Sequence, residues 1–166
     1  MKKFKLQSFG FVLLCSLGIA FLGWANERTQ PVPYNHKLHI EEAGLVCEEC
    51  HVNVNTHARA TIPNIQICGD CHDDTETENE QERLVAEYVA QEIPIEWKQV
   101  HDVPDHAYFS HRRHVAIAQI DCADCHGDVA QMEHPFEQSY VLIDMDWCLD
   151  CHEHRAVSKD CYVCHR

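Results

Sequence analysis

Basic residues are scarce in this chain. Lysine and arginine number 13 against 27 aspartates and glutamates, and the formal net charge is −14 with histidine neutral. Nucleic-acid binders carry a basic footprint, so this balance excludes that class of partner. It favours a soluble surface that also steers toward a basic partner. Long apolar runs are scarce too. Outside residues 6–25 the chain has few extended hydrophobic stretches. Its 166 residues suffice for one compact domain or two small ones, yet such a chain would bury little core of its own.

Cysteine, by contrast, is plentiful. Ten of the 11 cysteines fall into five C-x-x-C-H motifs. These are Cys47-Cys50-His51, Cys68-Cys71-His72, Cys122-Cys125-His126, Cys148-Cys151-His152 and Cys161-Cys164-His165. The pattern is the attachment site of a c-type haem: two thiols add across the vinyl groups, and the adjoining histidine becomes the proximal iron ligand. Zinc ribbons explain paired cysteines but not a histidine after every second one. A thioredoxin-like site needs one pair at a strand-to-helix junction, not five. Disulfides occur in exported proteins, but C-x-x-C is too tight a loop to serve as the main staple five times. The cofactors expected are therefore five covalently bound haem c groups. Their apolar faces would replace the missing hydrophobic core, and folding would depend on them.

Residues 1–25 read as an export signal, with Lys2, Lys3 and Lys5 ahead of an apolar run and Gly23-Trp24-Ala25 as a cleavage site. Haem is attached outside the cytoplasmic membrane, so export is required. Leu6–Ala25 is also 20 residues without a charge, just long enough to span a bilayer. Length alone leaves a cleaved signal and a retained anchor both open. Cys15 lies in this run as a bystander. Residues 26–35 contain two prolines and read as an extended tether.

Residues 34–54 (YNHKLHIEEAGLVCEECHVNV) and 109–129 (FSHRRHVAIAQIDCADCHGDV) align without a gap at an offset of 75. The chain thus divides into a two-haem module at 26–75, a linker at 76–96 and a three-haem module at 97–166. Leu84, Val85, Tyr88 and Val89 recur at helical spacing. This predicts a connector helix of about four turns from near Glu78 to Glu92. Thr75 or Thr77 would cap it and Pro94 would end it. The fold class expected is mainly α with little regular structure: a multihaem cytochrome c whose two modules wrap around five haems, with almost no strand.

Each iron needs a sixth ligand or an open position. Five of the 14 histidines are proximal, which leaves His36, His39, His57, His101, His106, His111, His114, His134 and His154. Bis-histidine ligation is the natural reading. The pairs His36/His39 and His111/His114 lead, because a spacing of three sets both side chains on one side of a helical turn.

The aromatic-x-His-x-x-His segment followed by C-x-x-C-H resembles the small multihaem cytochromes of the c3/c7 type. The resemblance implies that the first histidine of each pair serves the haem just downstream and the second serves the next. His36 would then ligate the Cys47–Cys50 haem and His39 the Cys68–Cys71 haem. His111 would ligate the Cys122–Cys125 haem and His114 the Cys148–Cys151 haem. The fifth haem departs from this pattern; its candidates are His101, His106, His134, His154, Met132 and Met145, and His101 is the expected one. His57 and Met132 occupy equivalent positions of the repeat, each six residues past a proximal histidine. A methionine ligand would raise the potential, whereas the plain role of Met132 and Met145 is packing on a haem face.

Residues 97–166 carry a closer resemblance. Val100–His111, Cys125–Met132 and Met145–His152 are similar to the pentahaem cytochrome subunit of alternative complex III and the related menaquinone reductase complexes. It implies an electron-transfer subunit on the periplasmic side of the cytoplasmic membrane, held by its N-terminal segment. Its partners would be an iron–sulfur subunit of a quinone-linked complex and a periplasmic electron carrier. Two other readings stand beside it: a free periplasmic carrier, and a multihaem reductase with one open haem. Against the last, no motif ends in C-x-x-C-K.

Overall fold

The computed structural model describes residues 29–165. The proposed signal or anchor at 1–25, with Cys15, lies outside them. Among the described residues no helix is long and apolar enough to cross a membrane.

Short helices joined by irregular chain make up the described residues, as the motif spacing leads one to expect. They are α1 (His36–Glu41), α2 (Cys47–Cys50), α3 (Ile65–Cys68), α4 (Glu80–Ala90), α5 (Ala123–His126), α6 (Met145–His154) and α7 (Cys161–Cys164). A π-helical turn occupies Arg112–Ile117 and a 3-10 turn Val129–Gln131. The described residues hold no strand, and one isolated bridge pairs Ala107 with His165. Caps set where the helices begin: Asn35, Asn64, Asn79, Asp144 and Asp160 each accept a backbone N–H with the side chain.

The connector helix α4 is shorter than its periodicity suggests. It begins after Asn79, whose Oδ1 accepts from Gln81 N and Glu82 N at 3.0 and 3.3 Å. Asparagine is the stronger cap, and Thr77 instead donates to the Glu82 carboxylate at 2.9 Å. The helix unwinds before Pro94, at Glu92, whose φ is +55.

The two repeats share a backbone plan. After α1, Gly44 takes φ +71, and Leu45 N donates to His39 O at 3.1 Å. In the second repeat Gln119 occupies the equivalent left-handed position at φ +52, and Ile120 N donates to His114 O at 3.0 Å.

The repeats also interlock reciprocally. Lys37 N donates to Met132 O at 3.1 Å, and Arg112 N donates to His57 O at 3.0 Å. Lys37 and Arg112 are equivalent positions, as are His57 and Met132. Each repeat therefore anchors the start of its His-x-x-His turn on the other repeat's carbonyl. Gln131 and Glu133 meet Glu41 and Lys37 across the same contact, both at 3.1 Å.

Two further clasps close the structure. Asn64 bonds the backbone of Ile95 in both directions, at 2.8 and 3.0 Å. Gln30 does the same to Lys98, at 2.9 Å each way.

The apolar interior is minimal. The buried hydrophobic side chains among the described residues are Val32, Val54, Ala86, Ile95 and Ile120, none of them aromatic. Large apolar groups at the cysteine motifs face outward, with Val46 57 % and Tyr162 90 % exposed. Protein interiors are normally close-packed, so these faces are surfaces built to be covered by something other than polypeptide.

Candidate metal centres

An aromatic ring organises each His-x-x-His turn. Tyr34 stacks on His39 at 4.4 Å between ring centroids and meets His36 edge-on at 4.7 Å. Phe109 repeats this with His114 at 4.6 Å and His111 at 4.9 Å. The two histidines of each turn are thus held apart and aimed in different directions by one ring.

Those directions lead to the histidines of the C-x-x-C-H motifs. His39 faces His72 at 6.1 Å and His114 faces His152 at 6.2 Å. His111 lies parallel to His126 at 6.4 Å. His36 is close enough to His51 for the two charges to oppose one another. Metal–nitrogen bonds of about 2 Å on both sides of one ion, plus half of each ring, place two imidazole centroids roughly 6 Å apart. Three of these pairs have that spacing.

His101 and His106 occupy different surroundings. His106 stacks against His165 at 5.5 Å with planes 12° apart. His101 stands edge-on to His126 at 4.5 Å and to Phe136 at 4.7 Å, and its Nε2 is buried without a hydrogen-bond partner. The structure therefore brings His106, rather than the expected His101, to the last motif. The pairing of Ala107 with His165, with Tyr108 N donating to Cys164 O at 2.6 Å, fixes this register.

Hydrogen bonds preset the tautomers. His39, His51, His111, His114 and His152 each pair Nδ1 with a backbone carbonyl, those of Asn35, Thr61, Ala58, Ser110 and Ser158, at 2.7–3.0 Å. Nδ1 then carries the proton and Nε2 keeps its lone pair for a metal. Burial reinforces this: it pulls the pKa of His36 and of His126 down to about 4, with neighbouring histidines adding to the effect. His101 and His111 are lowered by burial as well. These imidazoles stay neutral at neutral pH.

The thiols show the opposite tendency. Burial pushes Cys50, Cys68, Cys122, Cys125 and Cys148 above the usual thiol range. They lack the depressed pKa of nucleophilic cysteines. Among the described residues no three His, Cys, Asp or Glu side chains converge where they could hold a bare ion. Two opposed imidazoles beside a pair of neutral thiols fit a metal that brings its own equatorial ligands, and do not fit a zinc ribbon.

The family model "Cytochrome c7 and related cytochrome c" matches residues 32–88 and 107–166. The chain belongs to that family. The multihaem, c-type character read from the motifs, and the largely helical, strand-free wrapping, are those of a cytochrome c7. Covalent haem c is its cofactor, and electron transfer its kind of work. The chain is also 29 % identical over 180 residues to the "Menaquinone reductase, multiheme cytochrome c subunit" of Nitratidesulfovibrio vulgaris Hildenborough, spanning 90 % of this chain and 86 % of that one.

Several site features had no distinct sequence signal. The backbone carbonyls that orient the imidazoles come from irregular segments. His106 is one of two histidines in a short loop. Glu82, 3.9 Å from Nδ1 of His72, stands among many acidic residues.

Proposed function

We propose that this cytochrome carries five haems, each six-coordinate through two histidines, and relays electrons as the periplasm-facing subunit of a quinone-linked membrane complex. The facing imidazole pairs with preset Nδ1 protons are the observation that carries this reading. In it, Cys47/Cys50, Cys68/Cys71, Cys122/Cys125, Cys148/Cys151 and Cys161/Cys164 attach the haems, with His51, His72, His126, His152 and His165 as proximal ligands. His36, His39, His111 and His114 supply the opposite ligands to the first four, and His106 replaces His101 at the fifth. Bound there, haem supplies one-electron chemistry, and the chain supplies ligands, burial and charge.

In this reading neighbouring sites adjoin. Cys50 lies near Cys68, and Cys47 within hydrogen-bonding reach of Cys122. Cys148 lies near Cys125, and Cys164 near Cys148. We therefore take the order as a row of the Cys68, Cys47, Cys122, Cys148 and Cys161 motifs, with the first and last at the ends. Those ends are where partners exchange electrons with the chain. The acidic surface suits a basic carrier. The relation to a menaquinone reductase subunit supports the quinone-linked setting; an iron–sulfur subunit as neighbour follows from the resemblance of residues 97–166 to the pentahaem subunits.

Two measurements test this. Intact mass of the mature holoprotein should exceed the polypeptide mass by five haems. Co-purification from solubilised membranes should bring quinone-binding or iron–sulfur subunits with the haem stain. Release as a lone soluble protein would favour a free carrier. Stoichiometric carbon monoxide binding by the reduced wild type would favour a reductase with an open iron.

A further inference from the structure

The proximal histidines do not have the same second partner. Nδ1 of His51 and of His152 meets a neutral backbone carbonyl, at 2.7 and 2.8 Å. Nδ1 of His72 is buried and meets none. What faces it is a charge: Glu82 Oε1, 3.9 Å away. Both side chains are partly shielded, at 25 % and 40 % exposure.

That carboxylate is held in position. Glu82 sits in the first turn of α4, where Asn79 caps its amide. Its other oxygen accepts from Thr77 Oγ1 at 2.9 Å. Helix α4 is seated against α3 through Gly69, where a Cβ would lie 3.0 Å from Val89 Cγ1 and 3.1 Å from Ile65 O. The helix that joins the repeats therefore delivers one fixed negative charge to one proximal histidine.

Resting on the reading of His72 as a proximal ligand, we propose that Glu82 is a potential-setting residue for the Cys68–Cys71 haem. At 3.9 Å the carboxylate acts on Nδ1–H through its charge rather than through a hydrogen bond, and that charge polarises the imidazole toward a stronger donor. A negative charge nearby also favours the more positive, ferric state. Both effects have the same sign: this end of the row is held at a lower potential than its histidine pair alone would give. Thr77 acts one step further out by fixing the carboxylate.

The test uses the full-length holoprotein. Haem content is first matched between wild type, Glu82→Gln, Glu82→Asp and Thr77→Val, and each is then titrated spectropotentiometrically. In Glu82→Gln one midpoint should rise by a roughly tenfold change in its ferric-to-ferrous equilibrium, the scale of one charge acting across the ligand, about 59 mV for one electron. The others should stay in place, Glu82→Asp should recover much of the difference, and Thr77→Val should shift the same midpoint part of the way. Five unchanged midpoints in Glu82→Gln, with all haems still low-spin, overturn the proposal. A Cys68–Cys71 haem that stays low-spin in His72→Ala overturns the ligand assignment beneath it, which is a separate failure and visible by electron paramagnetic resonance.

Discussion

Two glycines with nearly the same positive φ stand in different surroundings, and this yields a quantitative test. Gly44 has φ +71 with nothing within 4 Å of a Cβ built on it. Gly127, directly after His126, has φ +70, and its Cβ would lie 2.7–2.9 Å from three carbons of the Tyr140 ring. Alanine in the left-handed region costs roughly 1–2 kcal/mol, reduced by about 0.5 kcal/mol through the stiffer unfolded chain. Gly44→Ala should therefore destabilise by about 1 kcal/mol. Gly127 also has ψ −168, a conformation that costs a residue with a Cβ roughly 1–3 kcal/mol; with the ring contact to be relieved, at roughly 1–3 kcal/mol, Gly127→Ala should cost about 2–5 kcal/mol. Tyr140 is 63 % exposed, so Tyr140→Ala should cost little alone yet remove the steric part. Guanidinium unfolding of the holoprotein, followed by far-ultraviolet circular dichroism, gives all four numbers, because thioether-bound haem stays with the unfolded chain. A coupling of about 1–3 kcal/mol between Gly127→Ala and Tyr140→Ala is expected. Equal costs for Gly44→Ala and Gly127→Ala, with no coupling, would refute the packing argument.

Other outcomes are equally definite. Reduced His106→Ala should bind carbon monoxide at one haem in five, while His101→Ala leaves every haem low-spin; the reverse pattern would restore His101 as the ligand. Gln119→Gly removes a side chain from a left-handed position and should stabilise by about 0.5–1 kcal/mol, raising the guanidinium midpoint. Burial holds the pKa values of His36 and His126 near 4 against 6.5 for the free side chain, and iron ligation, in the reading above, keeps both imidazoles neutral as well. The unfolded chain therefore takes up protons first, and stability present above pH 6.5 should fall as pH drops below it. A guanidinium midpoint that is flat from pH 7 to 4.5 would contradict this.

The c-type, multihaem character was legible because C-x-x-C-H is short and local: no folding event alters which histidine follows which cysteine. The repeat and the His-x-x-His turns were legible for the same reason. Helix ends were less so, since Asn79 and Thr77 are both credible caps and only the competing bond from Thr77 to Glu82 separates them. His101 and His106 lie five residues apart in one loop. Which of them reaches His165 is decided by the pairing of Ala107 and Tyr108 with the C-terminal segment, a long-range contact without a local signature. Glu82 was hidden by its abundance: nothing in an acidic stretch marks the one carboxylate that faces an imidazole.

The crossed amide bonds, Lys37 to Met132 and Arg112 to His57, bear on how the chain can be divided. A nick in the connector would leave two fragments, each lacking the carbonyl that steadies its own ligand turn. Such halves are complements rather than miniature cytochromes. Expressed apart, they would find that carbonyl only by docking together, or by doubling up with a copy of themselves.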